Sequence, residues 1–188
     1  TKFIRDAFAR HVSIPVTHMP AGIRFPKPTG LGRPELGLPK KPFLFLFMFD
    51  MASIFQRKNP LAVVEAFRRA VGRGPDVRLV VKVSRGDSDP ANLKLLREAC
   101  AEVDAILLNR VMSRQESYGL LENCDCYVSL HRSEGYGLTM AEAMSYGKPV
   151  IATGYSGNLD FTTSDNARLV PYQLVPLERD YDPYPKGA

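Results

Sequence analysis

The chain has 188 residues, 45% of them apolar and 24% charged, with a formal net charge of +5. That supports one domain with a full core, or one domain carrying fragments of another. The longest apolar run, Phe43-Leu44-Phe45-Leu46-Phe47-Met48-Phe49, is far short of the ~18 residues a membrane span needs. The opening Thr1-Lys2-Phe3-Ile4-Arg5-Asp6 lacks the apolar stretch of a signal peptide, and the basic residues are scattered rather than gathered into a run interleaved with aromatics, as nucleic-acid binding favours.

Taken in chain order, residues 1–11 read as a short amphipathic helix with Phe3, Ile4, Ala7 and Phe8 on one side, and 14–19 as extended. Residues 20–42 are punctuated by prolines and glycines and read as a linker. Phe43–Phe49 is a wholly apolar strand, as in a sheet covered on both faces. Asn59-Pro60 opens a helix to about Ala70, with Pro60 at its first position. Val77–Val83 is a strand, Asp89-Pro90 opens a helix to about Ala101, and Ala105–Asn109 is a short strand. Ser113 caps a helix to about Asn123, and Glu116 completes a capping box. A strand at 126–130, a helix at 138–146 and a strand at 149–152 follow, and the tail from Pro171 reads as irregular. Strands alternating with helices indicate an α/β fold, a Rossmann-like parallel sheet with helices on both faces.

The chemistry concentrates in Ser133-Glu134-Gly135-Tyr136-Gly137-Leu138-Thr139-Met140-Ala141-Glu142. Gly135 and Gly137 let the backbone turn and approach a ligand closely. The helix that follows offers unpaired N–H groups and the positive end of its dipole, which suits a phosphate. Glu142 lies about one turn into the helix and leans back toward that end. A carboxylate makes a poor phosphate ligand and a good acceptor for sugar hydroxyls, so the motif reads as a site for a phosphate bearing a sugar. The flanking strands put the loop at a strand's carboxyl end, where open α/β sheets bind ligands.

The junction Asp50–Pro60 lies at the same sheet edge. Its Arg57 and Lys58 precede a helix N-terminus, where the dipole prefers acids. A bound diphosphate accounts for them, and two solvated cations on a loop is the plainer reading. In Asp87-Ser88-Asp89, Pro90 follows directly, so Asp89 reads as an N-cap rather than a metal ligand. Lys82 and Arg85 also lie near the ligand edge. Cys100, Cys124 and Cys126 form no complete zinc set and read as buried free thiols. His131 reads mainly as structural, and Tyr155-Ser156-Gly157-Asn158 as a pocket lining or a simple turn.

The run from Glu134 to Glu142, with Ala143-Met144 and Gly147-Lys148-Pro149-Val150-Ile151-Ala152-Thr153, resembles the Glu-x7-Glu signature of retaining glycosyltransferases, family 4 in particular. Arg57-Lys58-Asn59-Pro60 is similar to a bacterial subgroup. The resemblance runs from about residue 33 to the end. It implies the C-terminal, donor-binding domain of a GT-B enzyme. Residues 1–42 then hold the end of the acceptor domain, hinge and linker, 43–170 the nucleotide-sugar-binding domain, and 171–188 an irregular tail cut before the closing helices.

Carried over by position, Glu142 binds the ribose hydroxyls and Glu134 contacts the donor sugar near the reacting carbon. Gly135, Tyr136, Gly137 and Leu138 supply backbone groups to sugar and diphosphate. Lys58 neutralises the leaving diphosphate, and the main chain at Arg110-Val111 faces the base. Ser53 stands where many members carry an arginine, a role Arg57 is placed to take. Glu134 and Lys58 are thus the expected catalytic pair. The resemblance further implies no cofactor and no metal, a nucleotide-diphospho-sugar donor and a glycan or lipid-linked acceptor. It also implies a role in cell-envelope or extracellular polysaccharide synthesis and a cytoplasmic location, with the full-length protein peripheral at the inner membrane face. A nucleotide-sugar-binding module without chemistry is the alternative.

Overall fold

The computed structural model describes residues 1–20, 22–25, 27–181 and 184–187; of the prolines that punctuate the first loop, Pro26 lies outside them, as do Asp182, Pro183 and Ala188 of the tail. Six parallel strands form one sheet: β1 (Phe43–Asp50), β2 (Val77–Ser84), β3 (Ile106–Asn109), β4 (Cys126–Ser129), β5 (Val150–Thr153) and β6 (Arg168–Val170). Their order is β3-β2-β1-β4-β5-β6, every neighbouring pair parallel. The order therefore reverses between β1 and β4. The carboxyl ends of those two strands flank the crevice that such a reversal opens.

The helices are α1 (Lys2–Ala9), α2 (Phe55–Lys58), α3 (Pro60–Ala70), α4 (Pro90–Glu102), α5 (Arg114–Asn123) and α6 (Leu138–Ser145). Side chains alternate across a strand, and β1 divides accordingly. Phe47 and Phe49 join Val63, Phe67, Leu79, Leu93 and Leu96 under α3 and α4. Leu44, Leu46 and Met48 join Leu120, Leu121, Tyr127 and Met140 under α5 and α6. With apolar side chains needed on both faces, the strand can afford no alternation with polar residues.

Several expected boundaries appear with their local causes. Pro60 stands at the first position of α3. Asp89 caps α4 by accepting from the Asn92 N–H. Ser113 and Glu116 form a capping box at α5. All three cysteines are free and buried, and burial pushes the thiols of Cys100 and Cys124 up to about 12.

Two elements differ from the sequence reading. Residues 55–58 form the one-turn helix α2, so Arg57 and Lys58 lie in its last turn and still directly precede Asn59, the N-cap of α3. The chain from residue 168 to 170 adds the edge strand β6, paired to β5 from Ile151↔Arg168 to Thr153↔Val170.

The Pro- and Gly-rich segment before β1 is packed rather than free. Leu36 and Leu38 are buried in the α5/α6 core. Gly119 leaves the space: a Cβ there would lie 3.2 Å from Leu31 and 3.3 Å from Leu36 side-chain carbons. The Arg33 guanidinium donates to Asp125 Oδ2 at 2.6 Å and Pro42 O at 2.8 Å, and Asp125 Oδ2 accepts the Leu44 N–H at 2.7 Å. This segment ties the start of β1 to the start of β4. Further upstream, Thr1 Oγ1 donates to Gly135 O at 3.1 Å, the Lys2 N–H lies 3.1 Å from Asp160 Oδ1, and Phe3 packs edge-on against Tyr155 with centroids 5.2 Å apart.

Candidate functional site

Parallel pairing of β1 and β4 sets the 50–59 junction beside the 130–137 loop. Ile54, at φ 63°, and Asn59, at φ 56°, bracket α2 with left-handed backbone and swing it across the sheet edge. Asn59 Nδ2 donates to Leu130 O at 2.8 Å, and Arg57 O accepts the Arg132 N–H at 2.9 Å. Docked this way, Lys58 Nζ forms an ion pair with Glu134 Oε1. Arg57 donates from Nη1 to Ser133 O at 3.0 Å and from Nε to Ser53 O at 3.2 Å, with Nη1 3.8 Å from Glu134 Oε1. The structure thus joins Ser53, Arg57, Lys58 and Glu134 in one cluster. The side chains of Arg57, Lys58 and Glu134 are 20%, 18% and 13% exposed, open enough for a ligand and dry enough for charge to count.

Gly137 starts α6 at φ 94°, a left-handed angle that glycine adopts without strain. A Cβ there would also meet the Met140 side chain. Gly137 thus sets the start of α6 directly after the loop that carries Glu134. Leu138 is exposed. The Tyr136 ring is held against Phe161, centroids 5.0 Å apart. Glu142 projects from α6 toward α5. Its carboxyl is pushed above the usual carboxylate range, chiefly by burial, against the opposing pull of Arg114 and a Tyr118 hydrogen bond. Val111, in the loop after β3, is 71% exposed; it and Glu142 stand apart from the Lys58–Glu134 cluster, toward α5.

A buried network under the loop completes the site. His131, 1% exposed, places Nδ1 3.1 Å from Ser129 Oγ and Nε2 3.2 Å from both Tyr155 O and Asn158 Oδ1. Asn158 turns its amide to Thr153 O at 3.0 Å, so its Oδ1 accepts. The network therefore assigns the proton to His131 Nε2 and the Ser129 hydroxyl to Nδ1. Burial is the chief cause that lowers the His131 pKa and keeps the ring neutral. Ser156 Oγ accepts the Glu134 N–H at 2.7 Å, and the Gly157 N–H donates to Glu134 O at 2.9 Å. The sequence marked 155–158 as a pocket lining or turn; its hold on Glu134 spans 22 residues and has no local signal.

At the neighbouring edge Arg85 pairs with Asp50 (Nη2 to Oδ2, 2.5 Å), and buried Lys82 donates to Ser84 Oγ, its ammonium lowered mainly by burial. Asp89 is spent on its helix cap. Among the described residues no group of three or more His, Cys, Asp or Glu side chains is placed to hold a metal ion, and no helix is long and apolar enough to cross a membrane.

The family model for glycosyl transferases group 1 matches residues 32–171, which include the whole sheet and both loops of the crevice. The chain belongs to the group 1 glycosyltransferases. It is 31% identical over 128 residues to the D-inositol 3-phosphate glycosyltransferase of Arthrobacter sp. (strain FB24), covering 66% of this chain and 30% of that one. It is 32% identical over 93 residues to the GDP-mannose:cellobiosyl-diphosphopolyprenol alpha-mannosyltransferase of Xanthomonas campestris, covering 48% and 24%. The fold is similar to that of the pneumococcal O-GlcNAc transferase solved in complex with UDP and GlcNAc, with a TM-score of 0.55 and 19% identity over 92% of this chain and 32% of that one. The chain thus spans a third or less of the length of these relatives, and its Rossmann-like α/β sheet corresponds to one domain of the GT-B architecture.

Proposed function

We propose that this group 1 glycosyltransferase domain binds the nucleotide-diphospho-sugar donor, in a crevice formed by α2, the 130–137 loop and the start of α6. The observation that carries the reading is the Lys58–Glu134 pair beside the α6 N-terminus. A cation and helix amides flank a position for a diphosphate, and a carboxylate stands ready for sugar hydroxyls. Glu134 holds Lys58 in place through their ion pair. With donor bound, Lys58 Nζ turns to the diphosphate and Glu134 to the sugar. The amides of Gly137 and Leu138 meet the phosphates, with Gly135 and Tyr136 lining the approach. Glu142 accepts the ribose hydroxyls, and the Val111 main chain faces the base. Arg57, held by Ser53 O and Ser133 O, adds positive potential in place of an arginine at position 53.

Catalysis in this reading is electrostatic: Lys58 and the helix amides stabilise negative charge on the departing diphosphate as the sugar–phosphate bond breaks. No metal is required, because the protein supplies the positive groups. Same-face attack by the acceptor hydroxyl, its proton passing to the departing phosphate, retains the anomeric configuration. The GDP-mannose of the Xanthomonas campestris mannosyltransferase and the UDP of the pneumococcal complex support a nucleoside diphosphate as the recognised group. Transfer itself belongs to the whole protein, with a glycan or lipid-linked acceptor presented by a second domain and an envelope or extracellular polysaccharide as product. The site is tested by titrating the Lys58→Ala and Glu142→Ala chains with UDP and GDP. Each variant is expected to lose about tenfold or more in affinity, as for one charge-assisted hydrogen bond of ~1.5–3 kcal/mol; unchanged affinity in both overturns the assignment.

A further inference from the structure

Ser156 sits at φ 74° and ψ −145°, a backbone region that residues with a Cβ rarely adopt and glycine enters freely. A serine at such a position calls for a reason in its side chain. The residue is 2% exposed, so solvation is not that reason. Its Oγ accepts the Glu134 N–H at 2.7 Å, and the adjacent Gly157 N–H donates to Glu134 O at 2.9 Å. One dipeptide therefore clamps both polar backbone groups of Glu134, the residue that carries the Lys58 ammonium. The clamp is itself anchored: Asn158, fully buried, bonds Thr153 O, Thr162 Oγ1 and His131.

We propose that Ser156 is a positioning residue, fixing the Glu134 backbone and through it the Lys58–Glu134 pair in the arrangement that receives the donor. The inference rests on the donor-site reading above. The one hydrogen bond that the hydroxyl makes to another residue among the described residues is the one it accepts from the Glu134 amide.

Two substitutions separate hydroxyl from backbone. Ser156→Gly removes the hydroxyl and relieves the backbone; Ser156→Ala removes the hydroxyl and keeps the strain. In the 188-residue chain, Ser156→Gly is expected to melt within a few degrees of the unsubstituted protein. Its Glu134 amide proton should move upfield in the nitrogen-15 correlation spectrum and exchange with solvent about tenfold faster, as loss of one hydrogen bond predicts. Affinity for UDP or GDP, whichever the unsubstituted chain binds, should fall about fivefold or more in both variants. An unmoved Glu134 amide, or a moved amide with unchanged nucleotide affinity, overturns the proposal. If the amide responds while neither the unsubstituted chain nor the full-length protein binds any of UDP, GDP, ADP and TDP, the hold on Glu134 stands and the donor-site reading is what fails.

Discussion

Replacing Gly157 by alanine separates the loop clamp from the rest of the fold. A Cβ there would lie 2.5 Å from the Gly135 carbonyl carbon and 2.8 Å from Glu134 O, with Gly135 O nearer still. Carbon–carbon contacts settle at about 3.5–4.0 Å, so the 134–135 backbone has to retreat by roughly 1 Å. Overpacking of this kind costs about 1–3 kcal/mol. The retreat also stretches the 2.9 Å bond from Gly157 N–H to Glu134 O, worth about 1 kcal/mol more. At about 2–4 °C per kcal/mol for a chain of this size, the total of ~2–4 kcal/mol lowers Tm by about 4–16 °C. The moved backbone carries Glu134 away from Lys58, so affinity for a nucleoside diphosphate falls too. Gly135→Ala is the control: its Cβ would meet only Ile4 Cδ1, at 3.8 Å. That variant keeps its Tm and loses nucleotide affinity alone, because the new methyl intrudes where a ligand approaches the backbone. Thermal melts followed by circular dichroism and calorimetric titration with UDP and GDP read both effects. A Gly157→Ala chain that melts like the parent, or a Gly135→Ala chain that loses as much Tm, refutes the reasoning.

Glu142→Gln tests the raised carboxyl. A carboxyl whose folded pKa exceeds its unfolded value lowers stability once pH climbs past the unfolded pKa of about 4.3, so the neutral amide should match or exceed the parent's urea midpoint at pH 7 while weakening nucleotide binding; a lower midpoint contradicts the assigned burial. Leu36→Ala should cost about 2–5 kcal/mol and lower Tm by several degrees, although it lies in a Pro- and Gly-rich loop; a surface-like effect under 0.5 kcal/mol contradicts its core placement. For His131, held neutral by burial, the unfolded chain takes up a proton below about pH 6.5 that the folded chain resists. Stability should fall as pH drops from 7 to 5.5, and the urea midpoints should show less of that fall in His131→Asn; an equal slope contradicts the assignment.

Much of this fold was readable because its signals are local. The apolar run of β1, the prolines at Pro60 and Pro90 and the capping box at Ser113 each act within a few residues, and each appears where the pattern puts it. Helix α2 was not readable: four residues cannot nucleate a helix alone, and the turn is held by bonds to Leu130 and Arg132 made only in the folded sheet. Strand β6 is three residues whose partner is the edge of β5. The segment before β1 shows its glycines and prolines in sequence, whereas the burial of Leu36 under α5 is a tertiary fact. In the site, the loop and helix start around Gly137 follow from composition. The meeting of Lys58 with Glu134, 76 residues apart, follows only from the strand order. The Ser156 hold on Glu134 is a tertiary contact, and serine gives no hint in sequence of a backbone at φ 74°.

The central claim, that this domain carries a nucleotide-diphospho-sugar site, is tested most directly by calorimetric titration of the chain with UDP, GDP, ADP and TDP, first without metal and then with magnesium. The account predicts saturable, metal-independent binding of one nucleotide in preference to the others, abolished or weakened by Lys58→Ala. Absence of binding by all four, in this chain and in the full-length protein alike, contradicts it.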